Sequence, residues 1–385
     1  VLDLARELDF LGLETLFYSY VPRRRAARFG LPARCHRGLL PFMAPFVAWN
    51  AYGGSVLPNL QERALVHALN AAVTARLSRC DVFICMSGLF LEAAAYARQR
   101  FGASIWLERG SRHILSQDDI LKDIAGSKRP TPFMIERELR GYELADRIVV
   151  PSSHVAESFD ERAPALSRKL FINPYGVDLD QFPSRDGSPP PGPPTVLFVG
   201  SWSYQKGADV LATAIRELGN VQLLHVGAMA DAPFPHDDPR FEHVGPVPQW
   251  DLFKYYAKAH VFALASRQDG FGMVLLQAAA SGLPIVCSEM TGGADLKVSQ
   301  ALSERIFVTP AADVEQLTRA IGAAIKLATE PSGLPPLSTH DRDLLSWSSY
   351  GRRYYDELRR SVASEIRRPI STQTRFMSLR SSETP

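Results

Sequence analysis

The chain has 385 residues, more than one ordinary hydrophobic core absorbs, so two or three domains are expected. Apolar residues at 46% and charged residues at 22% fit the profile of a soluble globular protein. A formal net charge of +2 supplies no global field, which argues against nucleic acid or an acidic partner.

In chain order, residues 1–8 read as a helix that begins without a strand before it, and the expectation is that an N-terminal strand and its loop precede it. The stretch 21–40 carries Arg23, Arg24, Arg25, Arg28, Arg34 and Arg37 and no acidic residue. It reads either as a solvated basic face or as a patch for anionic lipid or a diphosphate-linked acceptor. Short β-rich runs follow at 14–20, 81–86, 104–108, 147–151 and 170–173, and again at 195–200, 221–227, 241–244, 261–265, 284–287 and 305–308. Helical periodicity fills gaps such as 208–218, 249–258, 274–281 and 314–327. Alternating β and α units predict parallel sheets in doubly wound domains, and the near-continuous apolar runs predict strands buried on both faces.

The segment 183–194, PSRDGSPPPGPP, suits neither helix nor central strand and reads as a linker. The expected domains are therefore 1–182, 195–345 and a C-terminal helix at 346–366 that packs back on the first half. A second Pro-rich break lies at 330–338, and the polar tail 367–385 reads as disordered. Cys35, Cys80, Cys85 and Cys287 form no Cys-x-x-Cys pair and read as buried reduced thiols of a cytoplasmic protein. No apolar run has the length of a membrane span and no secretory signal is visible.

Two doubly wound domains leave a cleft at the C-terminal ends of their strands, where ligands bind. Lys206 closes the loop SWSYQKG after the run 195–200 and opens a helix, a placement that suits a phosphate but also an ordinary surface lysine. The order Lys-Gly is not a Walker A loop. The segment SRQDGFGMVLLQ is the stronger element. Gly270 and Gly272 let the backbone approach a ligand, the amides of Met273 and Val274 point at an anion, Asp269 accepts from sugar hydroxyls, and Gln277 reaches a ribose. Leu275 holds the third glycine position, so this is not a dinucleotide Gly-x-Gly-x-x-Gly; the bland alternative is a tight turn into a buried helix. The corner 288–296 carries paired glycines and reads equally as a turn. In the first half, His113 lies just past the run 104–108, where the cleft is expected, and Gly88 is placed comparably after 81–86.

Taken together, the phrases YELADRIVVPSSHVAESF, NPYGVDLDQF, VGSWSYQKG and RQDGFGMVLLQAAASGLPIVCSEMTGGADL resemble retaining GT-B glycosyltransferases of family 4, the glycosyl transferases group 1. The resemblance implies an α/β fold of two Rossmann-like domains facing a cleft, with an acceptor-side N-terminal domain and a nucleotide-sugar-binding C-terminal one. It implies that Lys206, beside Gly207, neutralises the donor diphosphate. Asp269 holds sugar hydroxyls with the backbone of Gly270, Phe271 and Gly272. Met273 and Val274 serve the phosphates, Gln277 the ribose and Val247 the base region, while His113 lies beside the reacting sugar. It further implies a front-face reaction without a protein nucleophile, no metal and no cofactor beyond the sugar nucleotide as substrate. Asp178 and Asp180 form the only suggestive Asp-x-Asp in a loop and read as structural.

Three positions depart from the family pattern. Asp269 stands for the first Glu of Glu-x7-Glu, Gln277 for the second, and Ser201 for the Arg of the phosphate loop. The loss of charge assistance at Gln277 costs on the order of 1 kcal/mol. A catalytically weakened sugar-nucleotide-binding protein is thus the alternative; a nicotinamide dehydrogenase lacks its glycine fingerprint, and a serine hydrolase lacks a Gly-x-Ser-x-Gly elbow. The expected acceptor is a glycan or lipid-linked molecule of cell-surface polysaccharide or glycoconjugate synthesis. Arg23, Arg24, Arg25 and Arg28 are expected to give peripheral contact with the inner face of a membrane.

Overall fold

The computed structural model describes residues 1–52, 58–184, 190–330 and 334–366. The tail 367–385 and parts of the two Pro-rich breaks lie outside the described residues. The second half forms a six-stranded parallel sheet: β7 (Thr195–Val199), β8 (Gln222–Val226), β9 (Phe241–Val244), β10 (Val261–Leu264), β11 (Ile285–Ser288) and β12 (Ile306–Thr309), in spatial order β12-β11-β10-β7-β8-β9. Every residue of β10 and β11 is buried, because helices cover both faces. Helix Ala208–Glu217 buries Val210, Leu211, Ala214 and Ile215, and helix Val314–Thr329 buries Leu317, Ile321, Ala324 and Ala328. Both show the i, i+3/i+4 spacing of an amphipathic helix.

The first half is built differently. β3 (Val82–Met86), β4 (Ser104–Glu108), β5 (Arg147–Val150) and β6 (Leu170–Ile172) make a four-stranded parallel sheet, while β1 (Phe17–Ser19) and β2 (His36–Gly38) pair separately, also in parallel. The strand expected at 14–20 is therefore shorter. β2 has no counterpart among the expected strands: its residues lack a strand pattern of their own, and pairing with β1 creates it. The basic stretch opens as helix Arg23–Arg28. The helix expected at 249–258 breaks into Gln249–Asp251 and Phe253–Tyr256, with Leu252 between them facing the core.

Helix Trp347–Ile366 leaves the second half and lies on the first, where Tyr350, Tyr354 and Leu358 cluster with Leu4, Leu8 and Trp106. Arg353 clamps the crossing, donating from Nε to Asn173 Oδ1 at 2.8 Å and from Nη2 to the Pro174 carbonyl at 2.6 Å. All four cysteines are free; Cys35, Cys85 and Cys287 are buried and Cys80 is half-buried.

Candidate active site

The site follows from strand order. β7 comes first in its domain, with β8 on one side and β10 on the other, so the loops after β7 and β10 diverge and leave a crevice beyond the carboxyl ends. These are the loops of Lys206 and of Asp269. Hydrogen bonds zip them together: Arg267 N donates to the Gln205 carbonyl at 2.9 Å, and Gln205 Nε2 donates to Gln268 Oε1 at 2.7 Å. Arg267 grips Asp209 with both guanidinium ends at 2.6 and 2.8 Å and also donates to the Tyr204 carbonyl. That pairing holds the Asp209 carboxyl below the usual carboxylate range, despite burial that pushes it the other way. Gly207, at φ 71°, closes this junction, since a Cβ there would lie 1.9 Å from the Ala265 carbonyl oxygen.

Within that frame Lys206 Nζ meets Asp269 Oδ2 at 2.5 Å, and Asp269 Oδ1 accepts from the Gly270 amide at 2.8 Å. Both side chains keep some exposure to the crevice. Helix Met273–Ala280 starts at Gly272 with no side chain capping it, which leaves its first amides without a side-chain acceptor. Ser201 is exposed and carries no charge. Its loop is anchored next door by Trp202, whose Nε1 donates to the Pro233 carbonyl at 3.0 Å, and by His225, whose Nε2 meets the Gly200 carbonyl at 2.9 Å. Val247 is half-buried against the core of the same domain.

Several expected residues sit otherwise than the sequence suggests. Gln277 is buried and its Oε1 accepts from the Tyr256 hydroxyl at 2.8 Å. The close approach at Gly270 is to protein: a Cβ there would lie 1.7 Å from the Gly110 carbonyl oxygen of the first half. At Gly272 and Gly292 the near neighbours are Leu264 and the Phe271 ring, so these glycines serve packing. His113 is 2% exposed. Its Nδ1 accepts from the Leu115 amide at 3.3 Å, capping helix Ile114–Lys122, and its ring packs on Tyr142 and Phe159. Burial, then Arg109 and Arg162, lower its pKa to about 4. Asp178, by contrast, is structural as read from the sequence: its carboxylate accepts from Asp180 N, Gln181 N and Gln181 Nε2 in a local turn.

The histidine that touches the Asp269 loop is His154. Its Nε2 donates to the Gly270 carbonyl at 3.1 Å, alongside Ser152 Oγ at 2.7 Å. Burial, then Arg112, lower its pKa to about 4, so the ring is neutral near pH 7 and donates only through Nε2–H. Ser153 N bonds Asp295 Oδ1 at 2.9 Å, and Gln268 Nε2 donates to Ser111 Oγ at 2.7 Å. These contacts fasten the Asp269 loop and the Asp295 corner to the first half. Their signal in the sequence is the phrase VVPSSHVAESF, polar residues placed directly after an apolar strand. Glu108, at the end of β4, is a further residue that sequence reasoning missed; it is buried, and burial raises its pKa although the Tyr354 and Tyr350 hydroxyls beside it act the other way. It lines a cavity of about 1590 Å³ that runs from Met273 and Gln277 past Gly110 and Tyr175 to β1 and β3. No helix among the described residues is long and apolar enough to cross a membrane.

Known proteins with similar features fall in one group. Residues 193–326 match the family described as glycosyl transferases group 1. One subunit of the phosphatidylinositol N-acetylglucosaminyltransferase of Arabidopsis thaliana is 25% identical over 60% of this chain and 53% of its own length. The D-inositol 3-phosphate glycosyltransferase of Mycobacteroides abscessus is 26% identical over 66% and 61%. The sulfoquinovosyl transferase SQD2 of Arabidopsis thaliana is 24% identical over 45% and 36%, so the chain spans only about a third to three fifths of these relatives. Among solved structures, sucrose-phosphate synthase from Thermosynechococcus elongatus superposes with a TM-score of 0.59 at 21% identity, covering 79% of each chain. The Anabaena protein HepE, in complex with UDP-glucose, superposes with a TM-score of 0.60 at 14% identity, covering 93% of this chain and 94% of its own. The fold is GT-B, two Rossmann-like halves facing a cleft.

Proposed function

We propose that the chain, whose residues 193–326 match the glycosyl transferases group 1 family, moves a glycosyl group from a nucleoside-diphosphate sugar to an acceptor hydroxyl, with retention. The observation that carries this reading is the Lys206–Asp269 pair at the strand switch point, a cation and a carboxylate 2.5 Å apart. Each matches one half of a sugar nucleotide. When the donor arrives, Lys206 exchanges Asp269 for the diphosphate, and the freed carboxylate accepts from the sugar hydroxyls. The amides of Met273 and Val274 face the phosphates, and the backbone of Gly270, Phe271 and Gly272 walls the sugar. Since Gln277 Oε1 is engaged by Tyr256, its amide group meets the ribose as a donor.

As the glycosidic bond breaks, negative charge gathers on the leaving diphosphate. Lys206 and the helix amides stabilise it there, with their dipoles already aimed. The acceptor oxygen attacks from the same face, and its proton passes to the departing phosphate oxygen, so no protein base or metal is assigned a role. His113 and His154, both neutral near pH 7, hold the loops that frame the sugar; neither is assigned proton transfer. The cavity beneath β1 and β3 suits the acceptor, a glycan or lipid-linked molecule in cell-surface polysaccharide or glycoconjugate synthesis on the cytoplasmic side of a membrane.

Ser201 and Gln277 favour a second reading, sugar-nucleotide binding with weakened transfer. A thermal-shift screen against UDP-, GDP- and ADP-sugars, followed by turnover assays, separates the two. A stabilising donor whose hydrolysis or transfer is lost in Lys206→Ala supports transfer. Stabilisation without turnover supports the binder, and no stabilisation by any sugar nucleotide sinks both.

A further inference from the structure

The first half carries a surface that the donor chemistry does not use. From Thr15 to Gln61 there is no Asp or Glu, while Arg23, Arg24, Arg25, Arg28, Arg34 and Arg37 fall within this span. Arg23, Arg24 and Arg25 are exposed on helix Arg23–Arg28 and form no ion pair among the described residues. Helix Leu40–Tyr52 follows, and its first ten residues, LPFMAPFVAW, include no charged side chain and no polar side-chain group except the Trp49 indole N–H. A helix that is apolar all round belongs inside a protein or in lipid. Only one side of this one is covered: Met43 and Val47 pack on the core with Leu39. The opposite side is open, with Phe42 48% and Trp49 38% exposed at helical spacing with exposed Pro45 between them. Leu60, on the neighbouring helix Pro58–Thr74, is 50% exposed.

The sheet brings the basic and apolar helices together. β1 and β2 run parallel with Ser19 opposite Gly38, so both chains leave from the same end. The Leu39 amide is tied to the Ser19 carbonyl at 2.8 Å. Arg76 adds a cation directly over the Phe42 ring, 5.4 Å from its centroid.

We propose that the outer face of helix Leu40–Tyr52, with helix Arg23–Arg28 beside it, seats the first half of the molecule on an anionic lipid surface. Charge complementarity selects this occupant. The span offers no carboxylate to a basic partner, and from Leu40 to Trp49 the helix offers a single polar side-chain group, the Trp49 indole N–H, too little to build the hydrogen-bonded rim of a protein interface. The apolar run is too short to span a bilayer, so the helix lies in the interface plane. Phe42 and Trp49 enter the acyl boundary, and the arginines stay at the phosphates. Both helices start from the carboxyl ends of their strands, and Tyr20, Val21 and Arg28 of this region line the cavity. Arg28, 5.8 Å from the Trp250 ring centroid, extends the basic edge to the second half. The inference stands on this surface alone and does not require the proposed transfer.

Flotation with vesicles tests it, using the whole chain without sugar nucleotide. Binding is expected to vesicles of phosphatidylcholine mixed with phosphatidylglycerol, and not to phosphatidylcholine alone. Replacing Arg23, Arg24 and Arg25 by Glu is expected to lower partitioning on the order of a hundredfold. Phe42→Ser with Trp49→Ser is expected to lower it about tenfold or more, with an unchanged melting temperature because both residues are exposed. Donor binding, measured without vesicles, is expected to be unchanged in both variants, which separates this surface from the sugar-nucleotide reading. Absence of binding by the wild type overturns the proposal, as does binding that survives both sets of changes. A concentration-dependent dimer abolished by Phe42→Ser and Trp49→Ser, without vesicle binding, reassigns the face to a protein interface.

Discussion

The two halves of this molecule solve the same folding problem with different amounts of redundancy. In the second half one continuous six-stranded sheet is covered on both faces, and the loops after β7 and β10 are cross-tied by Arg267, Gln205 and Gln268. In the first half the strands fall into two separate sheets, and a cavity of about 1590 Å³ lies against both. The contrast teaches that the Lys206–Asp269 corner, the proposed donor site, is pre-organised by short hydrogen bonds between neighbouring loops. The proposed acceptor side is left open, and its frame comes from distant segments, including the C-terminal helix.

The largest test of this contrast is Lys206→Ala. If the donor corner acts through charge, turnover should fall on the order of 10²- to 10³-fold, with the melting temperature little changed because Lys206 is partly exposed. A loss below about tenfold, read from steady-state rates, would move the chemistry away from this pair.

Gly270→Ala probes the seam between the halves. The added methyl would meet the Gly110 carbonyl at 1.7 Å, so the halves must part. We expect a loss of about 2 kcal/mol or more in denaturant unfolding, together with weaker donor binding. Gly207→Ala is expected to cost as much, but within the second half alone, from its φ of 71° and the Ala265 carbonyl. If Gly270→Ala leaves donor affinity untouched, the seam does not govern the site.

Acid sharpens the comparison further. His113, His154 and His225 are buried, one cluster in each half and one at the seam, and burial is the first cause lowering each from 6.5 to about 4. Between those values the unfolded chain binds protons that the folded chain refuses. Stability is therefore fully present above about pH 6.5 and falls as pH drops towards 4. A melting temperature that is flat across this window would contradict the burial of these rings. The smallest expected effect is Gln277→Glu. A carboxylate can still accept from Tyr256 and adds charge toward the ribose, so donor affinity should rise a few-fold, on the order of 1 kcal/mol.

Most of the second half is legible in the sequence because its strands are continuous apolar runs and its site residues sit at fixed offsets from them. Lys206, Asp269 and the Gly272–Met273 helix start lie where the strand–loop–helix pattern puts them. The first half is harder. β2 has no pattern of its own and exists only as a partner of β1, and in the second half the stretch expected as helix 249–258 forms a 3-10 turn at Gln249–Asp251 and a short α-helix at Phe253–Tyr256, with Leu252 in helical backbone between them. The sequence points to His113 rather than His154 because His113 follows a strand end. Which imidazole faces a neighbouring domain depends on side-chain packing, and Tyr142 and Phe159 draw His113 inward.

By itself, then, the sequence determined the two-domain α/β plan, the placement of the loops after β7 and β10 and the residues that carry charge there. Periodicity and loop chemistry are local properties and survive without a fold. Only the tertiary structure decided that Lys206 and Asp269 neutralise each other, that Gly270 is small for the sake of Gly110, and that Gln277 is held by Tyr256. Each of those depends on atoms brought together from positions far apart in the chain, and no local pattern encodes the distance between them.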